Sequence, residues 1–377
     1  MKICLIAPTY LPARRANTIQ VMKMAQAMAV LGHEVLVTVP GKHHGRSAPT
    51  WDELSHHYGL RHPFKIEWLP ERFWLRRYDY GYRAVHHARK HDADLIYTRL
   101  PQSAGLASSL GISTVYEIHD FPSGRGVRIL FKLFLQGSGA RRLVLITRSL
   151  RDDLARWLDS LPSTPFTIIA PDGVDLARYA DVPSSSDARS TLSIPERFTV
   201  GYTGHLYLGR GAEMILSMAA RLPEIIFLLV GGDPDDVDRV QAEAENTGLN
   251  NVILTGFIPN AELPRYQAAC DILLMPYQQR VAASSGGNIA RYLSPMKVFE
   301  YLACGRPIIS SDLPVLQETL NQNNAILLPP DDVDAWVKAI QELQTDPSRR
   351  EALAHQARME AQKYSWEARA ERILEGL

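Results

Sequence analysis

The chain has 377 residues, with 41 Lys plus Arg against 41 Asp plus Glu, so its formal net charge is zero. That length favours two domains over one, and 46% apolar with 22% charged residues is the balance of a core-forming globular protein, which excludes collagen-like and disordered classes. No apolar run reaches the roughly 20 residues of a spanning helix, and the opening "MKICLIAPTY" is too short and strand-like for a signal peptide.

In chain order, "KICLIAP" predicts a buried strand leading into a Pro-rich loop, "APTYLPARRAN". "TIQVMKMAQAMAVLG" has helical apolar spacing and stops at Gly32, and "HEVLVTVP" follows as a second strand. "DLIYTR" and "STVYEIHD" read as strands that end in polar residues, where a parallel sheet places its functional edge. "RLVLITRSLRDDLARWL" is strand then helix, and "FTIIAPDGVD" is a strand entering a glycine turn. The Ser-rich, proline-bracketed "DVPSSSDARSTLSIPER" predicts a linker.

The pattern then restarts. "FTVGYTGHL", "IIFLLVGG", "NVILTGF" and "ILLMPY" are strands, separated by helices through "GAEMILSMAARL", "DVDRVQAEAENTGL" and "LPRYQAACD". "SPMKVFEYLACGRPIISSD" reads as a brief helix, with Ser294 as N-cap, Pro295 at its first position and Gly305 as its stop, followed by a buried strand. "YSWEARAERILEGL" is an amphipathic helix after the second domain is complete. Two doubly wound α/β domains facing a central cleft are the expected architecture, with residues 1–182 plus 364–377 in the first and 190–363 in the second.

Several chemistries find no motif. The first loop has no glycine for a dinucleotide fingerprint, and no Walker lysine loop, G-x-S-x-G elbow or H-E-x-x-H occurs. The D-x-D strings Asp92-Asp94, Asp233-Asp235 and Asp332-Asp334 sit in turn-like settings that favour helix capping over metal binding. Cys4, Cys270 and Cys304 lie scattered in apolar segments without disulfide or metal spacing, as in a reducing cytosol.

What remains is a cluster at predicted strand ends. Gly204 and His205 close one strand and Arg210 follows before a helix; Gly231 ends a second strand, and Phe257 with Ile258 ends a third. Ser294, Pro295, Met296, Lys297 and Val298 open a helix that carries Glu300 one turn on. Two cations, glycine-rich backbone and a helix N-terminus on one rim describe a diphosphate site. Glu300 would then bond a ribose diol, and the bland alternative is a Lys297–Glu300 surface ion pair. His119 ends a strand of the first domain.

The strings "GHEV", "YEIHD", "APDGVDLARY", "GYTGHLYLGRG", "LTGFIPNAELPRYQAACDILLMPY", "SPMKVFEYLACGRPIISSD" and "YSWEARAERILE" occur in the order found in retaining GT-B glycosyltransferases of the "group 1", or family 4, type, and the chain resembles that family over essentially its full length. The resemblance implies a GT-B fold whose last helix crosses back to the first domain. It also implies transfer of a sugar from a nucleoside-diphosphate donor, UDP or GDP type, to an acceptor hydroxyl with retention, without metal or other cofactor.

By resemblance, Glu300 matches the second glutamate of E-x7-E and Arg210 the diphosphate-binding lysine. His205 stands where many members have arginine, His119 matches the histidine at the donor sugar, and Met296 and Lys297 match the amides around the distal phosphate. Catalysis would rest on His119, Arg210 and Lys297. Tyr292 replaces the first E-x7-E glutamate, Leu-Ser-Pro replaces G-F-G, and Ala16-Asn17 replaces the Gly-Gly of the acceptor loop, so sugar and acceptor stay unassigned.

The zero net charge hides an asymmetry: residues 1–180 hold 24 basic against 15 acidic residues, and the remainder 17 against 26. With the arginine-aromatic stretches 72–83 and 124–142, this predicts peripheral contact with an anionic membrane and a glycan or lipid-linked acceptor in envelope polysaccharide or glycolipid synthesis, rather than nucleic acid. Ordinary helices packed on the sheet are the equal alternative for both stretches. A nucleotide-sugar epimerase on the same fold and a non-catalytic binding subunit are the competing functions.

Overall fold

Runs such as "VLVTV" and "IFLLV" are apolar without alternation because both faces of their sheets are covered, and among the described residues the paired strands are parallel. The computed structural model describes residues 1–377 apart from 42–47, 76, 123, 125 and 283–287. It divides into two units, Met1–Asp172 with Trp366–Leu377, and Gly173–Ser365.

In the first unit β1 (Lys2–Ile6), β2 (Glu34–Pro40), β3 (Lys65–Leu69), β4 (Leu95–Thr98), β5 (Thr114–Ile118), β6 (Ala140–Leu145) and β7 (Thr167–Ile169) form one sheet in the order β3-β2-β1-β4-β5-β6-β7. The second unit repeats the winding with β8 (Thr199–Thr203), β9 (Ile226–Val230), β10 (Val252–Leu254), β11 (Ile272–Met275), β12 (Ile308–Ser311) and β13 (Ile326–Leu328), ordered β10-β9-β8-β11-β12-β13. Both orders reverse beside their first strand, the topological switch point of doubly wound sheets.

Four local expectations are corrected. Ala16 and Asn17 do not lie in a loop: the Ala16–Val30 helix begins with them, and the loop stops at its N-cap, Arg15. The expected linker contains the Ser185–Leu192 helix, whose Ser184 hydroxyl accepts from the Asp187 N–H; Ser followed three residues later by Asp is a cap signature that the serine-rich composition obscured. The division falls at Asp172 rather than 182, because Tyr179 packs in the second unit's core and donates to Gln267 Oε1 at 2.8 Å. Pro295, not Ser294, is the N-cap of the Met296–Cys304 helix.

Edge strand β3 and the small-residue helix Pro101–Ser109 were not anticipated from the sequence. Strand β3 is only partly buried, so its apolar signal is diluted.

The Trp366–Leu374 helix packs on the Ala16–Val30 helix of the first unit. Arg142 donates to the Ile373 and Glu375 carbonyls at its end, where a cation also complements the helix dipole. The helix delivers Arg369 to the middle of the unit. Its guanidinium donates to Glu117 Oε1 at 2.8 Å and to the Ala170 and Pro171 carbonyls at 2.9 and 2.8 Å. Glu117 is completely buried on β5 and also accepts from Gln20 at 2.9 Å.

The arginine-aromatic stretches divide between core and surface. Tyr80 is buried while Trp74, Tyr78 and Tyr82 are exposed; Phe131 and Phe134 pack edge-on to Tyr116 while Ile129 and Leu133 face outward. Arg76 and Arg125 lie outside the described residues. Among the described residues no helix is long and apolar enough to cross a membrane.

Burial alone would raise the Glu117 carboxyl, but Arg369 and then His119 outweigh it and hold it down to about 2, against an ordinary 4.5. Its stabilisation is therefore complete above the ordinary carboxyl range and is lost as pH falls toward the folded value. Arg369→Met should destabilise the protein by about 3–5 kcal/mol in urea unfolding at pH 7, because it strands a buried carboxylate. Adding Glu117→Gln should recover much of that loss. A cost that persists unchanged in the double variant would show that packing, not charge, holds the helix.

Candidate active site

Three strand ends lie side by side on the carboxyl edge of the second sheet, joined through glycines. The Gly204 N–H donates to the Val230 carbonyl at 2.8 Å, and Gly231 bridges to Gly256, donating to its carbonyl at 2.9 Å. At Gly204 φ is +127°, and a Cβ there would lie 2.7 Å from Lys297 Nζ; at Gly231 φ is +111°, and a Cβ would lie 2.6 Å from the Gly204 carbonyl oxygen. Only glycine lets these two turns and the lysine occupy one place. Phe257 and Ile258 follow on the neighbouring strand end, half-buried.

Two cations meet here. Lys297 Nζ is shut off from solvent, has no hydrogen-bond acceptor among the described residues, and sits 3.7 Å from the Tyr202 ring centroid and 5.1 Å from that of Tyr277. The Arg210 guanidinium lies 4.8 Å from the same Tyr277 ring and donates to its hydroxyl, while its Nε has no partner. Burial, then the neighbouring guanidinium, push the Lys297 amine well below the lysine range, with Glu300 opposing. The aromatic faces supply the compensation available to an ammonium without an anion. Lys297 and Glu300 form no ion pair, which removes the surface-pair reading.

Around this centre, His205 stacks on Tyr207 at 4.6 Å, and both approach Asp233, whose carboxylate accepts from the Tyr207 hydroxyl at 3.0 Å. Glu300 is buried and accepts from Gln267 Nε2 at 3.4 Å. The Val298 N–H is taken by the Pro295 carbonyl at 2.9 Å, which leaves the helix-opening amides of Met296 and Lys297 without intrahelical acceptors. The second unit thus brings Gly204, His205, Arg210, Gly231 and Lys297 to one stretch of the sheet edge, where side-chain nitrogens, glycine backbone and helix-opening amides are neighbours. Tyr202 and Tyr277 were missed by sequence reasoning, since a tyrosine in an apolar strand reads as core.

His119 belongs to the first unit, beyond the end of β5, with Nε2 on Glu117 and a side chain 14% exposed. Burial and then Arg99 lower its imidazole below the ordinary 6.5, against Glu117 and Asp172, so it is neutral at pH 7. Glu117, Asp172, Arg99 and Arg369 were not singled out from the sequence. The signal available was Glu117 itself, an acid inside an apolar strand two residues before the histidine.

Glu117, His119 and Asp172 lie close enough to ligate a metal. Arg369 and Arg99 already balance the two carboxylates, so the trio presents no net negative charge to a cation. Cys304 is fully buried, and burial pushes its thiol up to about 11, which suits packing rather than reactivity. Of the acidic strings, Asp332 caps a helix, while the Asp233 side chain turns to Tyr207 instead.

Comparison with known proteins gives a consistent set of matches. Residues 18–178 match the family described as Glycosyltransferase Family 4, and residues 197–346 match Glycosyl transferases group 1. A GDP-mannose-dependent alpha-(1-6)-phosphatidylinositol monomannoside mannosyltransferase of Mycolicibacterium smegmatis is 28% identical over 213 residues, 54% of each chain. The match spans about half the length of such curated relatives. Among solved structures, Anabaena Alr3699/HepE in complex with UDP aligns over 100% of this chain and 99% of its own, at 18% identity and a TM-score of 0.74. Sucrose-phosphate synthase from Thermosynechococcus elongatus covers 98% and 96%, at 20% and 0.73. These two likenesses show the GT-B fold.

Inorganic pyrophosphate tests the cation pair directly. It should bind with net proton uptake, read from calorimetry in buffers of different ionisation enthalpy, because an anion restores the Lys297 ammonium. Lys297→Met should abolish the uptake, and Gly204→Ala should weaken binding by about tenfold or more by displacing the amine. Tight binding that is indifferent to both substitutions would place the anion elsewhere.

Proposed function

The chain belongs to the group 1, family 4 glycosyltransferases, and we propose that it moves a sugar from a nucleoside-diphosphate sugar to an acceptor hydroxyl with retention of anomeric configuration. The observation that carries the reading is the buried pair Lys297 and Arg210, two cations on one tyrosine with no anion beside them. Like charges held close in a low-dielectric place are costly, which favours loss of the Lys297 proton, and a diphosphate would restore the ammonium beside Arg210. The nucleotide named in the UDP complex of the Anabaena neighbour is of the same chemical class.

Charge on a departing diphosphate grows as the glycosidic bond breaks. Lys297, Arg210 and the amides at the start of the Met296–Cys304 helix are preorganised donors for that charge, and such donors act most strongly where water is excluded. His205 adds a third nitrogen donor at the same strand end, and Glu300 serves the ribose. The diphosphate is stabilised by side-chain and backbone donors alone, without a metal. Phe257 and Ile258 meet the base through their backbone.

His119 acts on the sugar. As a neutral imidazole held by Glu117 it offers a hydrogen bond and a polarisable face without bringing a full positive charge to an oxocarbenium-like centre. The departing phosphate takes the acceptor's proton, so no carboxylate base is assigned. The acceptor is a glycan or lipid-linked hydroxyl. The exposure of Trp74, Tyr78, Tyr82, Ile129 and Leu133 on the basic first unit supports peripheral contact with an anionic bilayer.

A thermal-shift panel of UDP, GDP, ADP and their sugar conjugates should show one base stabilising the protein, with or without EDTA. Arg210→Ala and Glu300→Ala should each weaken that nucleotide by about tenfold. His119→Ala should keep nucleotide affinity while turnover falls by about a hundredfold. No shift with any nucleotide would favour a non-catalytic subunit, and conversion of the donor without acceptor would favour an epimerase. Product anomeric configuration, read by NMR, tests retention. Co-sedimentation with anionic but not neutral vesicles, reduced by Trp74→Ala with Ile129→Ser, tests the bilayer contact.

A further inference from the structure

A second cluster of metal-ligating side chains lies in the first unit, on the edge of the sheet. Glu67 is the middle residue of edge strand β3, and His87 and His91 come from the Tyr78–Lys90 helix and its C-cap. They are four residues apart, so both imidazoles leave the same helix face. Their rings lie 4.2 Å apart, and one ligand atom from each of the three residues falls within 4.8 Å of the other two. β3 is separated from β5 by three intervening boundaries more than adjacency allows: four inter-strand steps, about 19 Å. The cluster is therefore remote from His119.

The contact between His87 and Glu67 is unusual. Nε2 lies 2.7 Å from Oε2, yet this buried nitrogen makes no hydrogen bond. A cation ligated by both atoms would satisfy that nitrogen and that oxygen together. Lys65 does not fill that role, because its Nζ takes the other oxygen, Oε1, at 2.5 Å. That contact instead fixes the carboxylate and leaves Oε2 turned toward the two histidines.

We propose that Glu67, His87 and His91 form a zinc site that pins edge strand β3 to the Tyr78–Lys90 helix, with water completing the coordination. Two imidazoles and one carboxylate are a ligand set suited to Zn²⁺, with metal–ligand distances of about 2.0–2.2 Å and tetrahedral donors about 3.3 Å apart. Reaching that spacing from the present separation needs a side-chain adjustment of about an ångström, and all three side chains have the solvent access to make it. The consequence is structural: a metal bound only by the folded unit stabilises it.

The test is a calorimetric titration of the full chain with zinc chloride, paired with a thermal scan. One saturable site per chain and a raised melting temperature, both reversed by EDTA, are expected. His87→Ala or His91→Ala should lower affinity by about tenfold or more, and Glu67→Gln should weaken binding while keeping side-chain shape. His86→Ala is the control: its ring stacks on Tyr82 at 6.4 Å, outside the cluster, and zinc affinity should not change. Absence of a saturable site in the unsubstituted chain overturns the proposal. So does a site untouched by His87→Ala and His91→Ala but lost in His119→Ala. Variants are compared only where circular dichroism shows the native fold, and Glu67→Gln serves if a histidine variant fails to fold.

Discussion

The constraint on which the second unit turns is the placement of two cations on a single tyrosine ring. Lys297 and Arg210 come from different elements, one from the start of a helix and the other from the loop after β8. Bringing them together requires glycine at 204, and the loop that carries Arg210 requires glycine on both flanks: Cβ atoms at Gly209 and Gly211 would lie 1.8 and 2.2 Å from the carbonyl oxygens of Arg280 and Pro276. The motif "GRG" is thus the imprint of a backbone pressed against its neighbours so that one guanidinium can be aimed. Tyr202 and Tyr277 hold the charges until a ligand does.

The first unit solves a different electrostatic problem in the same region of its own sheet. Glu117 is wholly buried, and the residues that make this tolerable arrive from distant parts of the chain: Gln20 from the first helix, and Arg369 from the last. A carboxylate so placed holds a histidine two residues away in position, while burial and Arg99 keep that imidazole's proton affinity low. Removing charge from this group strands whatever remains, which is why buried ionic clusters are more informative about specificity than about net stability.

Much of this was legible in the sequence, for a physical reason. Parallel strands buried on both faces write themselves as unbroken apolar runs, and strand ends carry the polar residues that the sheet cannot bury; β8, β9 and β11 and their glycines were recoverable on those grounds. The same logic failed where burial is partial, at β3, and where helix signals are carried by small residues, at Pro101–Ser109. Composition misled at 181–197, because serines that cap a helix look like serines that fill a linker. At the second unit's sheet edge, Lys297 and Arg210 were singled out from the sequence and the tyrosines beneath them were not, nor were the charged neighbours of His119 in the first unit. A tyrosine that braces a cation and one that fills a core have the same neighbours in sequence.

The chain leaves the first unit after Asp172 and returns at Trp366, and Val174 and Ser365 pair at the crossing, with the Val174 N–H on the Tyr364 carbonyl at 2.8 Å. The guanidinium that neutralises Glu117 therefore lies 252 residues downstream of it. On the ribosome the whole of the second unit must emerge before the first can complete its interior. Throughout that interval Glu117 lacks the arginine that neutralises it, so the unit that begins the chain is the one whose interior is completed last.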